Sequence, residues 1–159
     1  MSNARGTAEQ NLLDRVEKSL AEGYAAALET VVAGFGADSG TLHLLGADGH
    51  LHLEAATAGI PEPVLDIVRV VPVGKGMAGL AVSRRAPVTS CNIQTDTSGD
   101  VRPGALATGL EGAIVVPVLR GEAAAGALGI ANRAPRVFTR EEEDLLIEAG
   151  RRIGAARAG

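Results

Sequence analysis

The segment from Val70 to Asp96 constrains the fold more than any other part of the sequence. It predicts a short strand, a turn rich in glycine, a helix from about Met77 to Arg85, and a second strand from Val88 to Asn92. A polar stretch follows. The middle of the chain is therefore expected to hold a compact unit of strand, turn, helix and strand.

The glycines of this turn, Gly74, Gly76 and Gly79, have the G-x-G-x-x-G spacing of a dinucleotide-binding turn. That function requires an uninterrupted buried strand, a long helix and an acidic residue at the end of the next strand. Pro72 interrupts the strand and Pro87 stops the helix early. We therefore interpret the glycines structurally: Gly76 makes a sharp turn, and Gly79 lets the helix pack closely on the sheet.

Composition limits the classes of function. With 159 residues, 46% of them hydrophobic, the chain fits one domain that buries its own core. Its formal net charge is -4 and its charges are interspersed, which disfavours nucleic acid as a partner. Without an apolar stretch of about 18 residues or a signal peptide, we expect no membrane partner and a cytoplasmic location. Residues 1–10 are expected to be a disordered leader or a cloning remnant.

Helical patterns lie at both ends of the chain. Apolar residues at spacings of three and four predict one long helix from about Leu13 to Phe35. A short helix is expected from Pro61 to Val68. Thr139 and Glu142 have the spacing of a capping box, which predicts the start of a C-terminal helix.

Two β-hairpins are predicted between these helices, turning at Asp48–Gly49 and at Gly121–Glu122. A two-residue loop in the first hairpin pairs Leu44 with Leu53 and His43 with Glu54. The element order then predicts an α/β (α+β) fold with a central mixed or antiparallel sheet of five to six strands. The terminal helices cover one face of this sheet, and short helices and loops cover the other. Alternation in the first hairpin separates two sets of residues, Leu42, Leu44, Leu51 and Leu53 on one face and His43, His52 and Glu54 on the other.

The element order from Leu12 to Ala156, together with the glycine turn, resembles the GAF domain, the small-molecule sensor module of bacterial signalling proteins. The resemblance implies a GAF-like (PAS-like) fold, with residues 11–159 as a single sensor domain. In the family, a motif near the end is chiefly structural, with a basic and an acidic residue bracing the last strand against the last helix. Its residues here are Asn132, Arg133, Phe138, Glu142 and Glu143.

The resemblance also indicates where a ligand binds. In GAF domains a mobile loop and short helix close over a ligand held against the sheet, and the polar segment 94–109 occupies that place here. Arg102 is the first residue to test, because an arginine in a lid can hold a carboxylate or phosphate bidentately. The candidate ligand-binding residues are His43, Asn92, Asp96, Arg102, Thr108, Ile114 and Val116.

The sequence contains no recognisable catalytic machinery. Some members of the wider family reduce free methionine sulfoxide with several cysteines, one of them in the glycine turn. Here Met77 occupies that position and Cys91 is the single cysteine, which we interpret as a small buried hydrophobe. We predict a non-catalytic sensor. The alternatives are a redox enzyme similar to free methionine sulfoxide reductase and a ligandless dimerisation module.

Metal binding is the other chemistry considered. His43, His52 and Glu54 would form a two-histidine, one-carboxylate site if they converged on one sheet face. A sheet face seldom holds ligands rigidly without supporting hydrogen bonds, and none can be identified. We therefore expect neither a metal nor a cofactor.

The expected partners are a small ligand and a second copy of the chain. Aromatic residues make up 2% of the sequence, so a compact aliphatic or acidic metabolite is favoured over a cyclic nucleotide or a tetrapyrrole. A homodimer through the terminal helices is predicted because several residues extend their apolar stripes. These residues are Leu12, Ala21 and Val32 in the first helix and Ala149, Ile153 and Ala156 in the last.

Overall fold

The computed structural model describes residues 2–101 and 108–156. The helices are α1 (Ser2–Leu20), α2 (Tyr24–Gly34), α3 (Glu62–Val68), α4 (Gly76–Arg84) and α5 (Arg140–Ala156). The strands are β1 (Ser39–Leu45), β2 (His50–Ala56), β3 (Val70–Pro72), β4 (Val88–Ser90), β5 (Gly112–Arg120) and β6 (Ala123–Asn132). A single turn of 3-10 helix, Ile93–Thr95, follows β4.

The six strands form one sheet in the order β3-β2-β1-β6-β5-β4, and every pairing is antiparallel. Helices α1, α2 and α5 pack on one face, and α3 and α4 lie on the other. This is the predicted α+β architecture. The two long central strands, β5 and β6, are buried on both faces, because helices cover both sides of the sheet.

The main core lies between the sheet and the three helices α1, α2 and α5. The side chains on this side are large, and burying each of them stabilises the fold by about 1.5–3 kcal/mol. The largest fully buried members are Val16, Leu28, Val31, Leu42, Ile114, Val116, Val118, Leu128, Ile130, Leu146 and Ile153. All three aromatic residues, Tyr24, Phe35 and Phe138, also pack in this core.

The prediction of one long first helix is wrong, because the helix ends at Leu20 and a second helix starts at Tyr24. Gly23 has a φ of 129°, a conformation that side chains other than glycine rarely adopt, so the helix cannot continue through it. The result is a helical hairpin in which the hydroxyl groups of Ser19 and Thr30 lie 2.6 Å apart. Residues 2–10, which we expected to be a disordered leader, are part of α1.

The predicted register of the first hairpin is also wrong by one residue. His43 pairs with Leu53 and Leu44 pairs with His52, because the turn contains one residue more than a two-residue loop. A bulge between Leu42 and His43 then shifts the register back along the strands. Paired residues share a face, so Leu51 lies with His43 on the side of α4 and not with Leu42 and Leu44.

The second hairpin and the C-terminal helix form as predicted. Gly121 turns the second hairpin with a φ of 63°. At the start of α5, the Glu142 N–H donates to the Thr139 hydroxyl and the Thr139 N–H donates to the Glu142 carboxylate, at 3.1 and 3.0 Å. These two bonds are the capping box. None of the helices in the described part of the chain is long and apolar enough to cross a membrane.

Candidate ligand-binding site

A cavity of about 190 Å³ lies between the sheet and the helices α3 and α4. Its described lining is mostly apolar and comes from β1, α3 and the loop before it, β3, the start of α4, the segment after β4, and the strands β5 and β6. The apolar residues that line it are Ile60, Val64, Ile67, Val68, Val71, Met77, Ala78, Ile93, Val101, Leu110, Ala113, Val115, Ile130 and Ala131. None of the three aromatic rings of the chain lines it.

The cavity exists because the central strands carry small residues on the side that faces it. Ala113 on β5 and Gly129 and Ala131 on β6 line the cavity. Their neighbours Ile114 and Leu128 point to the opposite face and fill the helix-side core. At Gly129 even a Cβ atom would come within 3.1 Å of the Val115 side chain. Residue size thus alternates along these strands, and the small residues leave the space.

The polar groups of the cavity wall lie mainly along β1. Ser39, Thr41 and His43 all line it, at alternate positions of one strand. The His43 side chain is 3% exposed, and its Nε2–H donates a hydrogen bond to the Val68 carbonyl at the end of α3, at 2.8 Å. Burial lowers the pKa of His43, although the bond to Val68 opposes this effect. His43 is therefore neutral at pH 7.

The glycine turn contributes residues to the wall of the same cavity. Lys75, Gly76 and Met77 line it, and α4 starts at Gly76, whose φ of 65° makes the sharp turn predicted from the sequence. A Cβ at Gly79 would lie 2.3 Å from the Pro72 carbonyl oxygen, so only glycine permits this close packing of helix on strand. The Lys75 side chain is exposed and makes no ion pair among the described residues.

A second, smaller cavity of about 20 Å³ adjoins the first. The two share Ser39, Ile60, Thr108 and Leu110 in their walls, and the second is also lined by Asp38 and Arg133. The backbone N–H of Arg133 donates to the Asp38 carboxylate at 2.7 Å. Arg133 and Asp38 thus lie beside the apolar cavity.

Only two of the predicted ligand-binding residues, His43 and Thr108, line the cavity. Ile114 and Val116 face the helix-side core, so the prediction that they wall the cavity is wrong; their neighbours Ala113 and Val115 do so instead. The sequence could not reveal this, because β5 is apolar at both alternations. Arg102 lies outside the described residues.

The remaining predicted residues, Asn92 and Asp96, stabilise local structure outside the cavity. The Asn92 side chain accepts a hydrogen bond from the Gln94 N–H at 3.0 Å and caps the 3-10 turn. Asp96 accepts hydrogen bonds from Ser98 and from the Ser90 hydroxyl, the latter at 2.7 Å, and these bonds lower the pKa of Asp96. Each side chain therefore holds the loop after β4.

The basic residue of the terminal motif differs from the expected one. Arg136, and not Arg133, forms the ion pair with Glu142, at 2.6 Å. Its guanidinium also donates to the Asn132 side chain at 2.9 Å and lies 4.5 Å from the centre of the Phe138 ring. The bracing of the last strand against the last helix is thus present.

Sequence reasoning assigned Lys75 and Arg133 no role at the cavity. For Lys75 the sequence held a usable signal, because it is a cation between two turn glycines.

The geometry does not support the other chemistries considered. Cys91 is exposed and not buried as predicted, because it continues the alternation of β4, where Val88 and Ser90 point inward. It does not line the cavity. His43 and His52 lie on opposite faces of the sheet, since His43 pairs with Leu53 and His52 with Leu44. Among the described residues no group of three or more metal-ligating side chains occurs.

Known structures with a similar fold include GAF domains and enzymes. One is the GAF domain of an Acinetobacter phosphoenolpyruvate-protein phosphotransferase, with a TM-score of 0.76, 19% identity, and coverage of 98% of this chain and 93% of that one. Another is the free methionine-R-sulfoxide reductase of Neisseria meningitidis in complex with its substrate, with a TM-score of 0.75, 17% identity, and coverage of 93% and 87%. At these identities the likeness establishes the fold alone.

A third similar structure is the GAF domain of a phosphoenolpyruvate-protein phosphotransferase from Coxiella burnetii, with a TM-score of 0.77 and 18% identity over 96% of this chain and 94% of that one. No significant match was found among curated proteins. The sequence model of the GAF domain matches residues 17–158. Because this match covers most of the sequence, the chain belongs to the GAF domain family.

Proposed function

We propose that this chain is a non-catalytic sensor domain that binds a compact, aliphatic and acidic metabolite. The observation that carries the proposal is the mostly apolar cavity with a buried histidine and a lysine in its wall. Such a combination of apolar surface and a few directed polar groups is typical of small-molecule sites.

The chemistry of the wall favours this class of ligand. A flat ligand such as a nucleotide base is commonly held by aromatic stacking, and no aromatic side chain of this chain lines the cavity. Lys75 in the wall and Arg133 beside it offer positive charge to a carboxylate. These two residues take the role that the sequence had suggested for Arg102.

The competing function is reduction of free methionine sulfoxide. It is considered because reductases of this kind are similar to the chain in structure. A cysteine that reduces a sulfoxide takes up its oxygen and becomes a sulfenic acid, which then condenses with a second thiol to give a disulfide and water. The chain has one cysteine, and it is exposed and outside the cavity. We therefore propose binding without turnover.

One experiment separates binding from turnover. The purified chain is assayed with free methionine sulfoxide and a thiol reductant, and its melting temperature is measured with a panel of amino, hydroxy and oxo acids and with cyclic nucleotides. We expect no turnover, and a higher melting temperature with at least one acid, since a ligand that binds only the folded state stabilises it by about 2.7 kcal/mol at one hundred times its Kd. Turnover that Cys91→Ser abolishes would refute the proposal, as would a shift with cyclic nucleotides alone.

A further inference from the structure

We propose that the ligand of this cavity donates an N–H or O–H hydrogen bond to Nδ1 of His43, so that a hydroxy or amino acid is selected over an oxo acid with the same carbon skeleton. The inference rests on the proposed function, since it names the chemical group that the same cavity recognises. It concerns the only side-chain nitrogen or oxygen in the described part of the chain that is fully buried without a hydrogen-bond partner.

The hydrogen-bond partner of Nε2 determines what Nδ1 can do. The Val68 carbonyl oxygen only accepts, so at 2.8 Å the hydrogen must lie on Nε2 of His43. A neutral imidazole carries one hydrogen, and burial favours this neutral form by lowering the pKa of His43. Nδ1 therefore presents a lone pair, and its complement is a donor.

The unpaired lone pair also indicates a ligand and not a structural role. Buried acceptors without partners are rare in folded proteins because each one loses its hydration without replacement. A ligand donor replaces the lost hydration while its carbon skeleton fills the apolar space.

Three probes of one skeleton test the selection: leucine, 2-hydroxyisocaproate and 2-oxoisocaproate. All have the same branched aliphatic body and a carboxylate, and only the oxo acid lacks a donor on the second carbon. Calorimetric titration measures the Kd of each. We expect at least one of the two donors to bind about tenfold or more tightly than the oxo acid, a difference of about 1.4 kcal/mol.

Two variants separate recognition from folding. His43→Gln retains a donor that reaches the Val68 carbonyl but removes the acceptor at Nδ1, so we expect a folded protein that no longer discriminates against the oxo acid. His43→Asn places a side-chain oxygen near Nδ1 but does not reach Val68. We expect this variant to retain the discrimination and to melt at a lower temperature. The opposite pattern would overturn the inference.

Two further outcomes are decisive. If the oxo acid binds as tightly as the other two probes, the inference is overturned while the proposed function stands. If none of the three binds, both the inference and the proposed class of ligand are overturned. As an independent readout, the ¹⁵N resonance of His43 Nδ1 should move on binding of the favoured probe, away from the position of a free lone pair; an unchanged resonance in the bound state contradicts the proposal.

Discussion

His43 links the stability of the folded chain to pH. Burial lowers the pKa of His43 below its ordinary value of 6.5. As the pH falls through 6.5, the unfolded chain takes up a proton that the folded chain does not, so the free energy of unfolding decreases. The stability that this residue contributes is therefore complete above pH 6.5 and is lost progressively below it.

The prediction is that stability declines between about pH 7 and pH 5, and that His43→Gln reduces this decline. Denaturant unfolding at several pH values measures it. The lowered pKa values of Asp48, Asp96 and Glu142 act in a different window, since carboxylates with ordinary values of 3.8 to 4.5 affect stability only at lower pH. Equal slopes for the variant and the unmodified chain near pH 6 would show that His43 does not titrate as described.

Gly79 shows how one residue determines the approach of an element. A Cβ there would lie 2.3 Å from the Pro72 carbonyl oxygen, which belongs to the backbone and cannot move aside cheaply. We expect Gly79→Ala to lower the free energy of unfolding by about 2 kcal/mol, a typical cost of overpacking.

Gly150→Ala is the matched control for this change, since Gly150 is also a helical glycine. Its Cβ would meet the nearest atom, the Pro117 carbonyl oxygen, at an ordinary 3.4 Å. Alanine in a helix interior is favoured over glycine by about 0.5–1 kcal/mol, so this variant should be as stable as the original or more so. If both variants are stabilised in denaturant unfolding, the close approach of α4 to β3 is not as described.

At the scale of elements, the sequence predicted most of the helices, strands and turns, but not the register of the first hairpin. The glycine turn, the second hairpin and the capping box of α5 were identified correctly, because each depends on local chemistry such as a turn glycine or a side-chain cap. The helix break at Gly23 was missed, since apolar spacing continues across it and a single glycine is tolerated within helices.

The candidate site was predicted less well than the fold. His43 and Thr108 were placed at the cavity correctly, but Ile114 and Val116 were placed on the wrong face of β5. Alternation of apolar and polar residues identifies a face only when the other face meets solvent, and β5 is buried on both. The bulge at Leu42 and His43 had no signal in the sequence either.

At the scale of the whole molecule, the structure changes the basis of the predicted homodimer. Leu12, Val32, Ala149 and Ile153, which were expected to form an interface, are buried within the chain itself. The helical hairpin accounts for Leu12 and Val32, because α1 folds back on α2, and Ala149 and Ile153 are buried where α5 packs against β5 and α1. The homodimer stays a prediction, but these four residues no longer support it.

Val32→Glu tests whether Val32 belongs to the core of the chain or to a dimer interface. Because Val32 packs in the core, we expect the variant to lose about 3 kcal/mol of stability through burial of an unpaired charge. Ala33→Glu, at the exposed neighbouring position of α2, should leave stability nearly unchanged. Thermal unfolding and light scattering together measure the outcome. A Val32→Glu chain that keeps its stability but halves its mass would instead place this residue at a dimer interface.

Large and small residues alternate on β5 and β6. Substitutions on one face of these strands therefore affect the helix-side core, and substitutions on the other face affect the cavity. Ile114 and Leu128 pack against the helices, whereas Ala113, Gly129 and Ala131 leave the space of the cavity. A single methyl group gained or lost at the second set alters the shape of the cavity while the helix-side core is untouched. Related chains can therefore acquire new ligands without a new core, and the residues that diverge first between them should be these small ones.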